Sequence, residues 1–125
     1  MRKYIINTSS YYSKYCNKYL NDCKDKFVAI SRTVPVWYKG NHMKDLAPSF
    51  KLLYDLKDGR ISEEQYKFKY ERALSNVDIL EVIESLNGKT VLCFEKEGFC
   101  HRHLLIDYLK RLGKMGFNIE SEELA

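Results

Sequence analysis

The chain has 125 residues, of which 45% are hydrophobic and 30% are charged, and its formal net charge is +4. This length suits one domain with its own core, and the composition excludes an intrinsically disordered chain. No apolar stretch is long enough to span a membrane, so we expect no membrane partner and a cytoplasmic location. The four cysteines are then expected to be reduced, although their even number is also that of a disulfide-bonded chain.

The first part of the chain predicts two strands joined by a helix. Residues 3–7 form a short strand, and the hydroxyl residues at 8–10 offer caps for the helix that follows. Apolar residues recur at helical spacing over 12–23. Residues 26–31 contain a continuous apolar run, which is typical of a strand buried on both faces of a parallel sheet. Residues 33–44 then predict an ordered loop.

Three helices are predicted before the next strand. Asp45 caps the first of them, and Pro48 stands in its first turn, where proline is tolerated. Ser62 and Gln65 have the spacing of a capping box at the start of the second helix. Asp78 marks a similar start for the third helix.

The last part of the chain predicts strands at 90–95 and 117–120, a turn at 95–99 and a helix through 104–112. Strands that alternate with helices in this way form parallel sheets with right-handed crossovers. We therefore predict a single α/β domain over 1–125, with a small, mainly parallel sheet and helices on both of its faces.

Open parallel sheets bind ligands beyond the carboxyl ends of their strands. This rule selects the segments 8–12, 31–38 and 95–102 as the place for a functional site. Motifs in these segments and between them also belong to a known pattern: Thr8-Ser9-Ser10-Tyr11-Tyr12, the run from Ala29-Ile30-Ser31-Arg32 to Gly40, Leu46-Ala47-Pro48-Ser49, Ile61 to Tyr66, Leu92-Cys93-Phe94-Glu95, and Phe99-Cys100-His101-Arg102-His103-Leu104.

In these motifs and their order, the chain resembles the domain of unknown function family 488, in the form common in bacteria and their phages. The resemblance covers nearly the whole chain. It implies a compact α/β fold with its recurrent motifs at the strand ends, and it carries no catalytic assignment.

Two arginines and a helix start predict an anion site at this edge. The segment Cys100-His101-Arg102 opens a helix, whose N-terminus has free N–H groups and a partial positive charge. Arg102 adds a planar guanidinium, and Arg32 adds a second from the end of a neighbouring strand. We expect a small anionic ligand here, of the nucleotide or nucleotide-derived class. In the alternative, Arg102 is a solvated helix residue and Arg32 pairs with a carboxylate such as that of Glu95.

Other ligand-binding candidates stand at the same strand ends. The residues with hydroxyl groups are Thr8, Ser9, Tyr11 and Ser31. Trp37 and Tyr38 offer aromatic rings that can stack on a base or a sugar while arginine holds a phosphate. In the alternative, Trp37 folds inward and anchors the long loop to the core.

Cys100 is the candidate nucleophile, because a cysteine at a helix start beside arginine and histidine can have a lowered pKa. Glu95 and His101 are the candidate acid and base. A phosphatase loop is excluded, because the position where that loop requires arginine holds Phe99 when counted from Cys93 and Ile106 when counted from Cys100. In the alternative, Cys100 is a small core residue and His101 a core histidine that joins its helix to the sheet.

A metal site is not predicted. Cys93, Cys100, His101 and His103 are ligand types for zinc, but their spacing matches neither a Cys-x-x-Cys pair nor a His-x-x-x-His pair. We expect no metal and no cofactor. The alternative function is that of a non-enzymatic interaction module, for example a phage product that binds a host protein or nucleic acid. The sequence leaves catalysis and the oligomeric state open.

Overall fold

The computed structural model describes residues 2–95, 98–113 and 116–125. Within them, five strands form one sheet in the order β3-β2-β4-β1-β5, and every neighbouring pair is parallel. The strands are β1 (Arg2–Ser10), β2 (Phe27–Ala29), β3 (Asn41–His42), β4 (Lys89–Cys93) and β5 (Phe117–Glu120). The helices are α1 (Lys14–Tyr19), α2 (Phe50–Lys57), α3 (Glu63–Leu74), α4 (Ile79–Leu86) and α5 (His101–Gly113).

The predicted α/β fold with a parallel sheet is confirmed. The decisive pair is β2 with β4, whose parallel register places Val28 opposite Val91. The predicted bounds of β5 agree with the structure, whereas β2 and β4 each end one residue before the end of the apolar run that predicted them. An apolar run continues past a strand because the residues that follow the last hydrogen bond of the ladder stay in the core.

The two faces of the sheet are covered unequally. Along the β2 run, Val28 and Ile30 belong to the larger core, which helices α2, α3, α4 and α5 complete. Phe27 and Ala29 belong to a smaller core on the opposite face, together with Cys16 from α1. Alternate residues of a strand point to opposite faces, so a continuous apolar run is what a doubly covered strand requires.

Two of the three predicted helix starts are confirmed by their caps. The hydroxyl of Ser62 accepts a hydrogen bond from the backbone of Gln65 at 3.1 Å, and the Gln65 side chain accepts one from the backbone of Ser62 at 2.8 Å. This reciprocal pair is a complete capping box. Asp78 likewise accepts from the backbone of Glu81 at the start of α4.

The prediction that Asp45 caps the next helix is wrong. Helix α2 begins after Ser49, whose hydroxyl accepts from the backbone of Leu52 at 3.1 Å. Pro48 explains the difference, because proline disfavours the helical conformation in the residue before it, and Ala47 is indeed extended. Asp45 lies instead in a single 3-10 turn that ends before that proline.

Strand β1 continues to Ser10, beyond the predicted 3–7, because its pairing with β4 runs to Ser10 opposite Cys93. The C-terminal segment also pairs with β1, at Thr8. The backbone N–H of Thr8 donates to Glu122, and that of Leu124 donates to the Thr8 carbonyl. Strand β3 was predicted as loop, since two residues are too few to produce a periodic signal. The predicted turn at 95–99 includes Lys96 and Glu97, which lie outside the described residues.

In the described ranges, no helix combines the length and the apolar character that crossing a membrane requires.

The capping box of α3 predicts a measurable contribution to stability. Replacing Ser62 by Ala removes the side-chain acceptor for the Gln65 N–H and should lower the free energy of unfolding by about 1 kcal/mol in urea titrations. Asn is the matched control, because it keeps an acceptor oxygen at the cap and should leave stability within a few tenths of a kcal/mol. Equal losses for S62A and S62N would contradict the role of the cap.

Candidate functional site

Buried polar side chains are concentrated at the carboxyl ends of β1, β2 and β4, beside the start of α5. Residues there that are less than about a tenth exposed are Thr8, Ser9, Ser10, Ser31, His101 and Arg102. Buried polar groups need partners, because their desolvation is otherwise uncompensated. The partners therefore define what each of these residues does.

Arg102 is fully buried and connects three segments of the chain. Its Nε and Nη2 donate to the two carboxylate oxygens of Glu123, at 3.1 and 2.7 Å. Its Nη1 lies 3.0 Å from the sulfur of Cys93 and 2.6 Å from the backbone oxygen of Glu95. The alternative of a solvated Arg102 is therefore wrong. Direct contact of Arg102 with a ligand stays a prediction.

Glu123 carries the charge that balances this arginine. Burial raises the pKa of its carboxyl, whereas the hydrogen bonds from Arg102 and Thr8 lower it, and the resulting pKa lies below the ordinary value. The Thr8 hydroxyl donates to the carboxylate at 2.5 Å. Thr8 thus helps to hold the carboxylate that pairs with Arg102. It also lines a small cavity of about 260 Å³ with Glu123 and His103.

His101 joins α5 to the end of β2. Its Nε2 lies 2.7 Å from the carbonyl oxygen of Ile30. A carbonyl only accepts, so Nε2 carries the proton and Nδ1 has the free lone pair. Nδ1 lies 3.8 Å from the sulfur of Cys100. Burial lowers the pKa of His101 to about 4, so the ring is neutral at pH 7.

The hydrogen bond to Ile30 agrees with the alternative of a core histidine that joins its helix to the sheet. The same orientation places the acceptor nitrogen Nδ1 on the side of Cys100. A base with so low a pKa holds a proton weakly, which limits its efficiency as a general base near neutral pH. The catalytic role of His101 stays a prediction.

Cys93 and Cys100 meet in space because the end of β4 and the start of α5 converge. Their sulfur atoms are joined at 2.18 Å, against the expectation of four reduced cysteines, and their Cα atoms are 7.6 Å apart. The sulfur of Cys100 lies 3.4 Å from Oε2 of Glu95. The three predicted catalytic residues, Glu95, Cys100 and His101, therefore lie together.

The same convergence gathers three metal-ligand atoms. The sulfurs of Cys93 and Cys100 and a ring nitrogen of His101 all lie within 4.8 Å of one another, and all three residues are buried. The spacing of cysteines and histidines along the sequence does not reveal this group, because its members come from the end of β4 and the start of α5. His103 is exposed and does not belong to this group.

Arg32 lies apart from Arg102, in a large cavity of about 780 Å³ lined by the segment after β3 and by residues from α2 to α4. Its Nε and Nη2 donate to the backbone oxygens of Pro48 and Ala47, both at 3.3 Å. No ion pair of Arg32 occurs among the described residues, so the alternative of a carboxylate partner finds no support there. The cavity is of the size that small-molecule ligands occupy.

The lining of this cavity combines charges with apolar surface. Its lysines are Lys44, Lys51 and Lys69, and its carboxylates include Asp45, Asp78 and Glu81. Met43, Leu52 and Val82 supply apolar surface. Lys51 is paired with Asp55 at 2.7 Å, which lowers the pKa of that carboxyl, first through the hydrogen bond from Lys51.

The predicted aromatic residues lie on the other face of the sheet. Tyr38 is buried, and its hydroxyl donates to the Asn41 carbonyl at 2.6 Å, so Tyr38 anchors the loop to the core. Trp37 remains 48% exposed and contacts the rings of Tyr11 and Tyr12 edge-on, at a cavity of about 490 Å³ beside α1. The structure therefore does not bring Trp37 and Arg32 into one cavity of the described residues.

The remaining hydroxyl candidates are engaged inside the protein. Ser9 donates to the Leu124 carbonyl at 2.5 Å and accepts from Ser13, the cap of α1, at 2.7 Å. Ser31 donates to the Thr33 carbonyl at 2.5 Å, so it accepts the bond from the Tyr11 hydroxyl at 2.6 Å. Burial raises the pKa of Tyr11 to about 12, so this hydroxyl is protonated at neutral pH.

Two members of the site were not predicted from the sequence. Glu123 stands in a run of exposed acidic residues, where nothing marks it as the partner of a buried arginine. Cys93 was taken as a residue of a buried strand, and only its contact with Cys100 gives it a role. Arginine at the buried start of a helix is a signal that a carboxylate must exist elsewhere, without showing which one.

The ion pair of Glu123 with Arg102 predicts a pH-dependent stability. The pKa of Glu123 is lowered by folding, so its contribution is complete above the unfolded value near 4.5 and is lost as the pH falls through the folded value. Glu123→Gln should lower the free energy of unfolding at pH 7 by about 2 kcal/mol, because Arg102 keeps its charge in the interior while the Glu123 side chain is 35% exposed and partly screened by solvent.

The measurement is urea unfolding of wild type and E123Q between pH 7 and pH 3. The difference between them should narrow as the pH falls below about 4.5. Glu122→Gln is the matched control and should behave as wild type, since Glu122 takes part in the fold through its backbone atoms. A difference between wild type and E123Q that does not change with pH would contradict the ion pair.

Comparison with protein families adds one match. The model described as DUF488-N3a, the active DUF488-N3 subclade, matches residues 30–113. The matched range includes Arg32, the whole of α2, α3 and α4, and the Cys93, Cys100, His101 and Arg102 cluster. No curated protein and no solved structure gives a significant match. The family model covers well over half of the chain, and this chain therefore belongs to the DUF488-N3a family.

Proposed function

We propose that this domain binds a small anionic ligand, of the nucleotide or nucleotide-derived class, in the Arg32 cavity at the carboxyl edge of its sheet. The observation that carries the proposal is the state of Arg32. Two backbone carbonyls orient its guanidinium, and its other N–H groups have no carboxylate partner in the described part of the chain. A half-buried arginine held in this way is preorganised to bind a phosphate or a carboxylate.

The rest of the lining favours a nucleotide over a bare anion. Lys44 and Lys69 add positive charge for phosphate oxygens, whereas Asp78 and Glu81 accept hydrogen bonds of the kind that sugar hydroxyls and base amino groups donate. The apolar surface of Leu52 and its neighbours gives a base something to pack against. Inorganic phosphate would use only the cations.

The chemistry available beside this cavity is that of Cys100, Glu95 and His101. The His101 ring packs edge-on against Tyr70, with ring centres 5.7 Å apart, and Tyr70 belongs to the same helix as the cavity residue Lys69. A reaction on the bound ligand would use Cys100 as nucleophile, with Glu95 and His101 as acid and base. The description of the matched subclade as active agrees with this part of the proposal.

The test is a thermal-shift and calorimetric screen of the full chain against nucleoside mono-, di- and triphosphates. A true ligand should stabilise the fold by about 2.7 kcal/mol at a hundredfold excess over its dissociation constant. Arg32→Gln should weaken binding by at least about tenfold, since a charged hydrogen bond to the anion is lost. The measured quantity is the dissociation constant of each variant.

Arg72→Gln is the matched control, because Arg72 is exposed on α3 and is not part of the cavity lining. It should bind with unchanged affinity. A nucleotide that binds Arg32→Gln as tightly as wild type would show that the Arg32 cavity is not its site. No stabilisation by any nucleotide at millimolar concentration would end the proposal.

A second candidate function, nucleic-acid binding, is favoured by one observation. Trp37 and Tyr12 form an exposed aromatic pair, 48% and 54% exposed, on a chain with net positive charge. Aromatic side chains of this kind stack on unpaired bases. This surface lies on the face opposite the Arg32 cavity, so the two candidates have separate residues.

A titration with single-stranded oligonucleotides at two salt concentrations separates these candidates. Binding to the aromatic pair should weaken steeply as salt rises, because counterions are released, and Trp37→Ala should weaken it by about 1–3 kcal/mol. Phe68→Ala is the matched control, since Phe68 is an exposed aromatic residue on α3 and should have no effect. Absence of oligonucleotide binding at low salt excludes this second candidate.

A further inference from the structure

We propose that Cys93, Cys100 and His101 form a binding site for a thiophilic divalent metal ion, with Zn²⁺ as the expected occupant. The proposal does not depend on nucleotide binding, because none of the three residues lines the Arg32 cavity. It gives Cys100 and His101 the role of metal ligands in place of the nucleophile and base considered above. It rests on the position of three donor atoms at the junction of β4 and α5.

The donor set is the first support. Two cysteine sulfurs and one imidazole nitrogen lie within 4.8 Å of one another, and all three residues are buried. Thiolate and imidazole together are the ligands that zinc prefers in proteins.

The orientation of His101 is the second support. Its Nε2–H donates to the carbonyl of Ile30 at 2.7 Å, which leaves the lone pair of Nδ1 on the side of Cys100. Metal-binding histidines nearly always donate their other ring N–H in this way, to a backbone carbonyl or a carboxylate. The hydrogen bond fixes both the tautomer and the ring plane before a metal arrives.

The backbone separation of the two cysteines is the third support. Their Cα atoms are 7.6 Å apart, beyond the range of roughly 4.4–6.8 Å that most disulfides span. Two thiolates that share one ion hold their sulfurs farther apart than a covalent bond does, and a wider backbone separation suits this arrangement. The reduced pair is therefore the form that we expect to bind the metal.

Two charged residues, Arg102 and Glu95, lie next to the three donor atoms. Arg102 places Nη1 3.0 Å from the sulfur of Cys93, which stabilises a thiolate there. Three protein ligands leave a fourth position, as in catalytic zinc sites. A carboxylate also lies near the cluster, since Oε2 of Glu95 is 3.4 Å from the sulfur of Cys100.

Binding of Zn²⁺ releases protons, and it requires both cysteines in the reduced form. Each thiol forms one S–Zn bond and loses one S–H bond, so two protons pass to the solvent, while Nδ1 gives its lone pair and releases none. If the two sulfurs are joined, they must first gain two electrons. In the experiment a phosphine supplies these two electrons. The phosphine takes the oxygen of one water and becomes a phosphine oxide, and the two hydrogens of that water convert both cysteines to thiols.

The experiment uses the full chain, reduced with a phosphine and titrated with Co²⁺ as a spectroscopic substitute for Zn²⁺. We expect one equivalent of cobalt, a thiolate charge-transfer band in the near ultraviolet and visible bands of a tetrahedral site, all abolished when Zn²⁺ is added. Cys100→Ser and Cys93→Ser should each reduce the charge-transfer intensity to roughly half, because one thiolate is lost. His101→Asn should keep the intensity per bound ion and weaken affinity by more than about tenfold.

The matched controls are Cys23→Ser and His103→Asn, which replace the same residue types outside the cluster. Both should bind cobalt like wild type. Circular dichroism checks that each variant is folded, and the wild-type spectrum decides the question if the cysteine variants do not fold. Zinc analysis of the protein purified without chelator should find about one ion per chain.

Two results would overturn the proposal. One is a reduced wild type, with four thiols counted by a disulfide reagent after unfolding, that shows no cobalt charge-transfer band. The other is folded Cys93→Ser or Cys100→Ser that retains the full band and affinity. Either result leaves nucleotide binding by the Arg32 cavity untouched, so the two proposals fail separately.

Discussion

The buried guanidinium of Arg102 is the constraint on which this edge of the molecule depends. A charge without solvent needs an opposite charge and a full set of acceptors, since its desolvation costs several kcal/mol. Glu123 supplies the charge, and it does so from the C-terminal segment, which pairs through its backbone with Thr8. The position of the last residues of the chain is therefore coupled to the start of α5. The remaining donor, Nη1, fixes the chain where it leaves β4.

The fold was predictable because its signals are local, whereas the site depends on distant partners. The continuous apolar runs within 26–31 and 90–95 predicted doubly covered strands, and Ser62 with Gln65 predicted the start of α3 from four residues. Asp45 failed as a cap because Pro48 acts on its neighbour more strongly than a preference for a capping residue does.

The burial of Arg102 could not be predicted in this way, because the spacing of α5 does not show that a carboxylate returns from the end of the chain. Topology placed Glu95, Cys100 and His101 at one edge, and they do lie together. It also placed Arg32 and Trp37 there, yet the structure puts them on opposite faces. A sheet edge has two sides, and the strand-end rule does not distinguish them.

The buried cluster of Cys93, Cys100 and His101 and the Arg32 cavity are connected by a series of contacts. The carbonyl of Ile30 accepts from His101, and Arg32 follows two residues later. The His101 ring contacts Tyr70, whose hydroxyl donates to the Leu46 carbonyl at 2.5 Å, and the next carbonyl, that of Ala47, accepts from Arg32. The Arg32 guanidinium is held by the carbonyls of Pro48 and Ala47, whereas the His101 tautomer is fixed by the carbonyl of Ile30. The cluster and the cavity are therefore neighbours in the fold, and each is held by its own donors and acceptors.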